Sequence, residues 1–561
     1  MPSIAHDIEA GRSRRMTKEE KRVIAAASLG TMFEWYDFFL YGSLSAAIAL
    51  NFFSAFPPAT RNIFALLAFS VGFVVRPLGA LVFGRIGDLV GRKYTFIITI
   101  SLMGFSTFFV GLLPTSESIG LFAPTLLIIL RLVQGLAMGG EYAGAATYVA
   151  EYAPVGRRGL YTSWIQTTAT VGLFVSLLII LATRSLLGEE AFAAWGWRFP
   201  FLISIVLLGI SLWIRLQLNE SPVFQRLKEE GTRSKAPVAE AFGQWQNAKI
   251  GLIALFGLVI GAGVVWYTGQ FYSMFFLQSV LQVDGYTTNL LVGWSLAFGT
   301  IFFVVFGWLS DYIGRKPIVM AGLLIAAVGF MPLFQLLTAL ANPALSRATE
   351  AVKVAVVADP ADCGSLFNPI GTRTFITSCD LARDFLAKSS VRYSTKAAAS
   401  GTPLSIEINA VAVPFSAETV AASRKSVIES LRAEGYPKAG DPGIVKMSDP
   451  LDVFRPQVAG IIGVLFIMVL VVTMTYGPLG ACLVELFPAR IRYTGMSLPS
   501  NIGFGWFGGL LPATAFAMVA QTGDIYFGLW YPIGFAALTL IVGILLLPET
   551  KDRDINADRF E

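Results

Sequence analysis

Twelve apolar runs, each long enough to cross a lipid bilayer, constrain this chain of 561 residues more than any other feature. A helix of about 20 apolar residues covers the roughly 30 Å of hydrocarbon in a bilayer. The composition agrees, because 55% of the residues are hydrophobic and 14% are charged, far from the balance of a soluble domain. The sequence therefore predicts an all-α polytopic membrane protein. The predicted spans, numbered 1 to 12, lie near residues 23–50, 62–84, 95–113, 122–150, 161–184, 197–216, 249–281, 287–309, 317–340, 457–483, 493–520 and 524–547.

The basic residues indicate how the chain is oriented. They concentrate in the polar N-terminal tail and in the loops that follow even-numbered spans, whereas the opposite loops hold little beyond Arg61, Arg184 and Arg198. By the positive-inside rule, both termini are cytoplasmic. The same rule explains the net charge of +5, so no nucleic-acid partner is expected. The first apolar run is too long and too rich in carboxylates for a cleaved signal peptide.

Two short signatures occur twice, once in each half of the chain. The pattern G-x-x-x-D-x-x-G-R-K follows span 2 and returns after span 8, and a second pattern containing Glu and Arg follows spans 4 and 10. Repetition at corresponding places predicts two six-helix bundles. The residues concerned are Gly84, Asp88, Gly91, Arg92, Lys93, Glu151 and Arg157 in the first half, and Gly307, Asp311, Gly314, Arg315, Lys316, Glu485 and Arg492 in the second.

The spacing of these signatures reveals an insertion in the second half. Glu151 lies 67 residues after Gly84, but Glu485 lies 178 residues after Gly307. The apolar map places the excess at residues 341–455, between spans 9 and 10 and outside the cytoplasm. Residues 404–413 alternate as a strand, and a helix is expected from Ser416, as its cap, to about residue 434. We expect a small α/β domain.

Two cysteines, Cys363 and Cys379, fall within this insert. In an oxidising compartment they can close a loop of about 15 residues and stabilise the domain by about 3 kcal/mol in the chain-entropy model. Two free thiols in a small core are the alternative. The resulting division of the chain is 1–22 for the tail, 23–216 for the N-terminal bundle, 217–248 for a cytoplasmic linker, 249–340 for spans 7–9, 341–455 for the insert, 456–547 for spans 10–12 and 548–561 for the C-terminal tail.

Five ionisable side chains lie inside the spans of the first half: Glu34, Asp37, Arg76, Arg131 and Glu141. A charge at the centre of a bilayer costs at least about 2.5–3.5 kcal/mol, so such residues normally face a cavity and pair. The spans of the second half hold none, apart from tyrosines and Cys482 at a boundary. Since the single histidine, His6, lies in the tail, a proton carrier within the spans must be a carboxylate. The chemistry is therefore expected in the first half.

Depth along the helices predicts that Asp37 and Arg131 meet. At about 1.5 Å per residue, Asp37 lies roughly 21 Å from the cytoplasmic start of span 1, and Arg131 roughly 13 Å from the outer start of span 4. Glu34 and Tyr41 share the helix face of Asp37. A pair whose contact forms and breaks would act as a proton switch. A permanent ion pair that ties two helices together is the alternative.

Two of the remaining charges have open roles. Glu141 lies near the cytoplasmic end of span 4, where a helix-end or gate contact competes with a role in proton coupling. Arg76 precedes Pro77 and Gly79, so a packing role at a helix bend competes with substrate contact.

The motifs together resemble the metabolite:proton symporter family of the major facilitator superfamily. Its members carry α-ketoglutarate, citrate, shikimate, proline or betaine. The resemblance implies a proton-driven symporter in a bacterial inner membrane, whose two bundles rock around a midplane site. We expect no enzymatic activity and no cofactor. We expect it to function as a monomer. The stretches that carry the resemblance are both charged turns and residues 33–38 (FEWYDF), 76–79 (RPLG), 131–135 (RLVQG), 139–142 (GGEY) and 485–495 (ELFPARIRYTG).

The resemblance also implies roles for individual residues. The duplicated signatures act as gates between the bundles on the cytoplasmic side. Independently of the resemblance, the buried charges make Asp37, Arg131, Glu34 and Glu141 the candidates for proton coupling. Two features depart from the family: the insert, and Ser500 where relatives often have a Tyr before the Asn. A proton-driven antiporter, or a sensor that uses the insert, are the alternative functions. The candidate substrate contacts are Arg131, Arg76, Tyr41, Gln134, Tyr267, Gln270, Tyr272 and Asn501.

Overall fold

Long apolar helices make up most of the computed structural model, which describes residues 17–54, 58–369, 373–438 and 440–555. Among these residues, ten helices are long and apolar enough to cross a membrane. They correspond to spans 3 to 12. Spans 1 and 2 are also long helices, Lys18–Ser43 and Pro58–Leu89. The predicted fold class is confirmed, although these two helices are not among the ten and the count of twelve membrane spans stays a prediction.

The helix bounds follow the apolar runs closely. Span 1 continues into a short helix, Ser45–Phe52, and two short linker helices, Pro222–Glu229 and Pro237–Gly243, connect the halves. Spans 3 to 12 are Arg92–Leu112, Phe122–Tyr152, Arg158–Leu187, Arg198–Leu216, Trp245–Val280, Gly285–Ile313, Arg315–Ala341, Pro456–Leu486, Ala489–Thr522 and Phe527–Leu546.

The two bundles meet along two equivalent helix pairs. Within the first half, span 2 packs on span 4, span 1 on span 5, and span 3 on spans 4 and 6. Within the second half, span 9 packs on spans 10 and 12. Between the halves, span 5 faces span 8 and span 2 faces span 11. The interface therefore follows the sequence repeat, since each half contributes its second and fifth helix.

Spans 7 and 11 are interrupted by π-helical turns. Span 7 contains three such turns, at Leu255–Val259, Thr268–Tyr272 and Phe276–Val280, and span 11 contains one at Ile502–Gly508. An extra residue in a helical turn changes the direction of the side chains that follow, and such turns are frequent at functional sites. Both helices carry candidate substrate residues.

The insert folds as a small α/β domain on the face where span 9 ends and span 10 begins. We call this the insert face, and we call the opposite face, which carries both charged turns, the motif face. Its strands are β1 Val354–Ala358, β2 Ser394–Ala397, β3 Ser405–Ile408 and β4 Val411–Pro414, and its helices are α1 Pro343–Ala351, α2 Ser378–Lys388 and α3 Val420–Ala433. The sheet has the order β2-β1-β3-β4, in which only β1 and β2 are parallel.

Two local predictions for the insert are wrong. The expected single strand over 404–413 is a hairpin that turns at Asn409 and Ala410, whose φ angles are 44° and 72°. Two residues with positive φ match a tight hairpin turn, and this turn consists of Asn and Ala without the Gly that usually marks such a turn in a sequence. Ser416 does not cap the following helix, because its Oγ accepts a local hydrogen bond from the Glu418 N–H at 3.2 Å. The helix begins at Val420.

Cys363 and Cys379 are joined by a disulfide bond. The bond ties the segment after β1 to the first turn of α2, and Cys379 is fully buried. The third cysteine, Cys482, is free and buried on the motif face at the end of span 10.

The insert is attached to the second half alone. Within the described ranges, every hydrogen bond and ion pair from the insert to a bundle helix or bundle loop goes to that half. Tyr393 donates its N–H to Gly523 O at 3.1 Å, and Asn342 Nδ2 donates to Leu281 O at 3.0 Å. The insert is therefore expected to move together with the second bundle.

Replacing Cys363 with serine should destabilise the insert without disturbing the helices. The disulfide joins residues 16 positions apart, and cross-linking a loop of that size contributes about 3 kcal/mol in the chain-entropy model. We expect C363S to be cleaved faster in the insert during limited proteolysis of the purified protein. C482S, which leaves the disulfide intact, is the matched control. Equal cleavage rates for C363S and the unmodified chain would contradict the prediction.

Candidate functional site

Asp37 and Arg131 meet inside the first bundle, with Arg131 Nη1 3.6 Å from Asp37 Oδ2. Both side chains are almost completely buried, with 5% and 3% of the Arg131 and Asp37 side chains exposed. Thr107 Oγ1 donates to Asp37 Oδ1 at 2.7 Å, and Gln134 Nε2 donates to the same oxygen at 3.2 Å. The carboxylate of span 1 is thus held by side chains of two other helices, spans 3 and 4. Thr107, in span 3, was missed because it is uncharged.

The contact between Asp37 and Arg131 is loose. A strong charge-assisted hydrogen bond measures about 2.7–2.9 Å, well short of the 3.6 Å seen here. Arg131 Nη1 lies closer to Gln134 Oε1, at 2.6 Å, and its guanidinium sits 4.1 Å above the centre of the Tyr41 ring. Arg131 is therefore held by neutral partners as well. Among the described residues, both hydrogen bonds to the Asp37 carboxylate go to Oδ1, and Oδ2 has only the 3.6 Å contact with Arg131.

A cavity of about 10 Å³ borders the same carboxylate, lined by Tyr36, Asp37 and Thr107 among others. This volume is at the lower limit for one water molecule, about 10–15 Å³. The side chain of Glu34 lies outside the described residues.

Glu141 is fixed within the first bundle. Arg215 Nη2 contacts its Oε1 at 2.7 Å, and Thr99 Oγ1 donates to its Oε2 at 2.7 Å. The Arg215 guanidinium also lies 3.7 Å from the centre of the Phe96 ring. Both carboxylate oxygens are occupied by partners from the same half, which favours the packing role over proton coupling. Arg215 was missed because it lies at the end of span 6, where a basic residue is ordinary.

Arg76 is buried at the interface between the bundles without a carboxylate. Its side chain is next to Gly505 of the second half, and the residue is 7% exposed. Nη2 contacts the Met138 sulfur at 3.3 Å, the guanidinium lies 4.8 Å from the Phe73 ring centre, and Nε has no partner. No carboxylate of the described part of the chain pairs with it. A buried cation of this kind favours an anionic group from outside the protein.

Aromatic rings close the centre of the interface. Trp35 of span 1 and Trp266 of span 7 lie 4.8 Å apart between ring centres, and Phe39 stacks on Phe271 at 5.5 Å. Tyr267 contacts Phe73 at 6.2 Å, again across the two halves. The face of an aromatic ring attracts cations where it is accessible to them.

Three further candidate substrate residues, all in the second half, differ in their contacts. Gln270 is buried beside this ring layer, and its Nε2 has no hydrogen-bond partner. Tyr272 packs within its own half, against Phe276, Phe334 and Phe516. Asn501 bridges the bundles, because its Nδ2 donates to Gly139 O at 2.7 Å.

The two charged turns make equivalent contacts across the motif face. Asp88 accepts hydrogen bonds from the N–H groups of Tyr493 and Thr494, at 3.3 and 2.9 Å. Asp311 accepts from the N–H groups of Gly159 and Leu160, at 2.9 and 2.8 Å. In both cases a carboxylate of one half binds the N-terminus of a helix of the other half, where the helix dipole favours negative charge.

The glycines of the motif permit this close approach. A Cβ on Gly84 would lie 2.9 Å from Thr494 Cα, and a Cβ on Gly307 would lie 2.3 Å from Ser163 Cβ. Gly314 has a φ of +105°, a conformation that other residues rarely adopt.

Residues of the second signature, including Glu151 and Glu485, form ion pairs next to these contacts. Arg492 Nη1 lies 2.8 Å from Glu151 Oε1, and Arg315 Nη2 lies 3.1 Å from Glu485 Oε1. Arg158, rather than its predicted neighbour Arg157, approaches Glu485, at 3.5 Å. The first turn joins the same network, since Arg92 Nε lies 3.7 Å from Glu151 Oε2.

Two glutamates of this network were missed by sequence reasoning. Glu220 accepts from the Arg92 and Lys93 N–H groups at 3.1 and 3.2 Å, and Glu549 caps the helix at Arg315 and Lys316 in the same way. Burial raises the pKa of Glu220 above its ordinary value, and backbone hydrogen bonds from Ser221 and Lys93 oppose that shift. The available signal was the corresponding position of the two glutamates, just after spans 6 and 12.

The C-terminal segment lies within the same network. Thr550 Oγ1 donates to Glu485 Oε2 at 2.7 Å, and Arg158 Nη1 donates to Arg553 O at 2.9 Å. Arg492 Nη2 donates to Ile555 O, and Ile555 is buried. The motif face is thus closed by contacts from both halves and from the tail.

Comparisons with known proteins agree with this architecture. The family model described as "Sugar (and other) transporter" matches residues 23–358 and 451–557, and the unmatched stretch between them lies in the insert. The glycine betaine/proline/ectoine/pipecolic acid transporter OusA of Dickeya dadantii is 38% identical over 315 residues, which are 54% of this chain and 62% of that protein. The chain thus spans less than two thirds of that relative's length.

Two further similarities extend over almost the whole chain. A Haemophilus influenzae protein named for metabolite transport is 28% identical over 538 residues, 95% of each chain, so the match includes most of the insert. The solved structure of the major facilitator superfamily proton:xylose symporter XylE, bound to a bromodeoxyglucose, has a TM-score of 0.61 at 15% identity and covers 96% of this chain and 98% of its own. That likeness concerns the fold.

Removing the charge of Asp88 or Asp311 should open the motif face. Either substitution removes the charge-assisted hydrogen bonds to a helix N-terminus, which stabilise the closed motif face by about 1–2 kcal/mol. We expect D88N and D311N to accelerate alkylation of the buried Cys482 by a maleimide about tenfold, since 1.4 kcal/mol corresponds to a factor of 10. D284N is the matched control, because Asp284 caps a helix of its own half through the Thr287 N–H. If D88N and D311N were both alkylated at the rate of D284N, the two aspartates would not hold the motif face closed.

Proposed function

Since this chain belongs to the sugar (and other) transporter family, we propose that it is a proton-coupled symporter of a small organic acid or zwitterionic metabolite. It imports the solute by alternating access, through rocking of the two bundles around a site at their interface. Both termini and the motif face lie in the cytoplasm, and the protein works as a monomer in a bacterial inner membrane. The distribution of basic residues supports this orientation.

The buried guanidinium of Arg76 carries this proposal. It lies between the halves without a carboxylate partner among the described side chains, so a solute carboxylate can supply the missing charge. The nearby rings of Trp35, Trp266 and Tyr267 suit a quaternary or secondary ammonium group. A zwitterion that carries both groups fits the site better than a sugar, and glycine betaine and proline, named in the relative from Dickeya dadantii, belong to this class.

Asp37 is the proton carrier in this scheme. Protonation of Oδ2 removes its negative charge, which ends the attraction to Arg131 and leaves that guanidinium to its neutral partners Gln134 and Tyr41. Thr107 keeps the carboxyl group in place in both protonation states. The loss of one charge–charge contact between spans 1 and 4 lets these helices shift when the solute is bound. Proton uptake and solute movement are thereby linked.

Replacing Asp37 with asparagine should uncouple transport from the proton gradient. In proteoliposomes with an imposed pH gradient, we expect D37N to stop accumulating solute, so that the inside-to-outside ratio falls to about 1, while exchange of labelled for unlabelled solute persists. T107S, which keeps the hydroxyl donor, should still accumulate solute. Proton-dependent accumulation by D37N would refute the coupling scheme, and solute export driven by inward proton flow would indicate an antiporter.

Replacing Arg76 with glutamine should weaken binding of carboxylate solutes in particular. A charge-assisted hydrogen bond contributes about 1.5–3 kcal/mol, so we expect the KM for a transported zwitterion to rise about 10-fold or more in R76Q. R76K, which keeps the charge, should lie between R76Q and the unmodified chain. The measurement is competition by glycine betaine, proline and shikimate, with choline as the analogue that lacks a carboxylate. A KM unchanged in R76Q would assign Arg76 to packing.

A further inference from the structure

A second cavity, of about 450 Å³, lies on the insert face, away from the interface between the bundles. Span 9 forms its floor with Met331 and Leu336, and the start of span 12 forms one wall with Trp530. The insert forms the roof with Glu350 and Arg392. Its volume is within the range of small-molecule sites, about 300–1,000 Å³.

The floor of this cavity continues into the membrane-facing surface of the protein. Leu336 is 48% exposed and Trp530 is 55% exposed. Further along the same two helices, Val328 and Leu538 are also exposed. In a bilayer these side chains contact acyl chains. Tyr526 and Trp530 stand where span 12 begins, at the level that aromatic residues prefer between hydrocarbon and water.

The charged residues that line the cavity, Glu350 and Arg392 of the roof and Asp524 beside it, carry more negative than positive charge. Arg392 Nη2 pairs with Asp524 Oδ2 at 3.1 Å, which joins the insert to the loop before span 12. Glu350 forms no hydrogen bond or ion pair with any described residue of the chain. Two carboxylates and one guanidinium therefore face the cavity. This balance favours a ligand with an ammonium group and disfavours one with a net negative charge.

We propose that this cavity binds a phospholipid with a primary ammonium head group, that is, a phosphatidylethanolamine of the leaflet on the insert face. The ammonium donates to Glu350, the phosphate lies beside Arg392, and an acyl chain follows Leu336 and Met331 along span 9. A choline head group has no N–H to donate to the carboxylate, and a glycerol head group has no cation. The bound lipid joins the insert to spans 9 and 12.

A lipid-retention experiment on the full chain tests the proposal. The purified, delipidated protein is incubated with equal amounts of phosphatidylethanolamine, phosphatidylcholine and phosphatidylglycerol in mixed micelles, and the bound lipid is counted by native mass spectrometry. We expect phosphatidylethanolamine to be retained about 10-fold more than phosphatidylcholine, the value of one charge-assisted hydrogen bond. E350Q should abolish that preference, and E418Q, which changes an exposed carboxylate elsewhere in the insert, should keep it.

Each alternative result overturns the proposal. Equal retention of the three lipids by the unmodified chain, or the same preference in E350Q, excludes a role for Glu350 in lipid selection. Displacement of the lipid by free phosphoethanolamine at equal concentration assigns the site to a soluble ligand instead. As a control for folding, Cys482 should be alkylated at the same rate in E350Q as in the unmodified chain. A lost preference for phosphatidylethanolamine is then not caused by misfolding.

Discussion

Two carboxylates, each bound to the start of a helix in the opposite bundle, hold the motif face together. Asp88 and Asp311 satisfy backbone N–H groups that the helices beginning at Arg492 and Arg158 cannot satisfy themselves. Both acceptors are buried, so separating the bundles exposes two carboxylates and two helix ends to water at the same time. Because the contacts are equivalent, neither half closes this face without the other.

The buried charges differ in how completely they are paired, and this difference separates their roles. Glu141 has partners on both oxygens and behaves as part of the packing of its bundle. Asp37 is held firmly at one oxygen and loosely at the other, which suits a group that changes protonation. Arg76 has no carboxylate within the described structure and suits a charge that arrives with a ligand. These three charges therefore differ in how completely each is paired, not in how deeply each is buried.

The sequence was informative where a physical constraint acts within one helix or one repeat. The cost of charge in lipid singled out Asp37 and Arg131, and helical rise placed them at one level. The spacing of duplicated motifs located the insert. Contacts made by neutral side chains or by residues outside the spans could not be derived in this way: Thr107 is neutral, and Glu220 follows span 6 and lies 128 residues from the N–H group of Arg92 that it binds. The hairpin at Asn409 stayed hidden because its two turn residues, Asn409 and Ala410, include no Gly, although both have positive φ.

The insert has one more consequence, which concerns how this protein can be observed. A membrane protein whose mass lies mostly within the bilayer offers few features for aligning single-particle images, and this chain has a mass of only 60.7 kDa. The insert is a folded domain fixed to one bundle by backbone and side-chain hydrogen bonds, including those of Tyr393 and Asn342. An antibody fragment raised against α3 would therefore mark the position of the second bundle in every image. The angle between that marker and the first bundle would then report directly how the two bundles are oriented in each image.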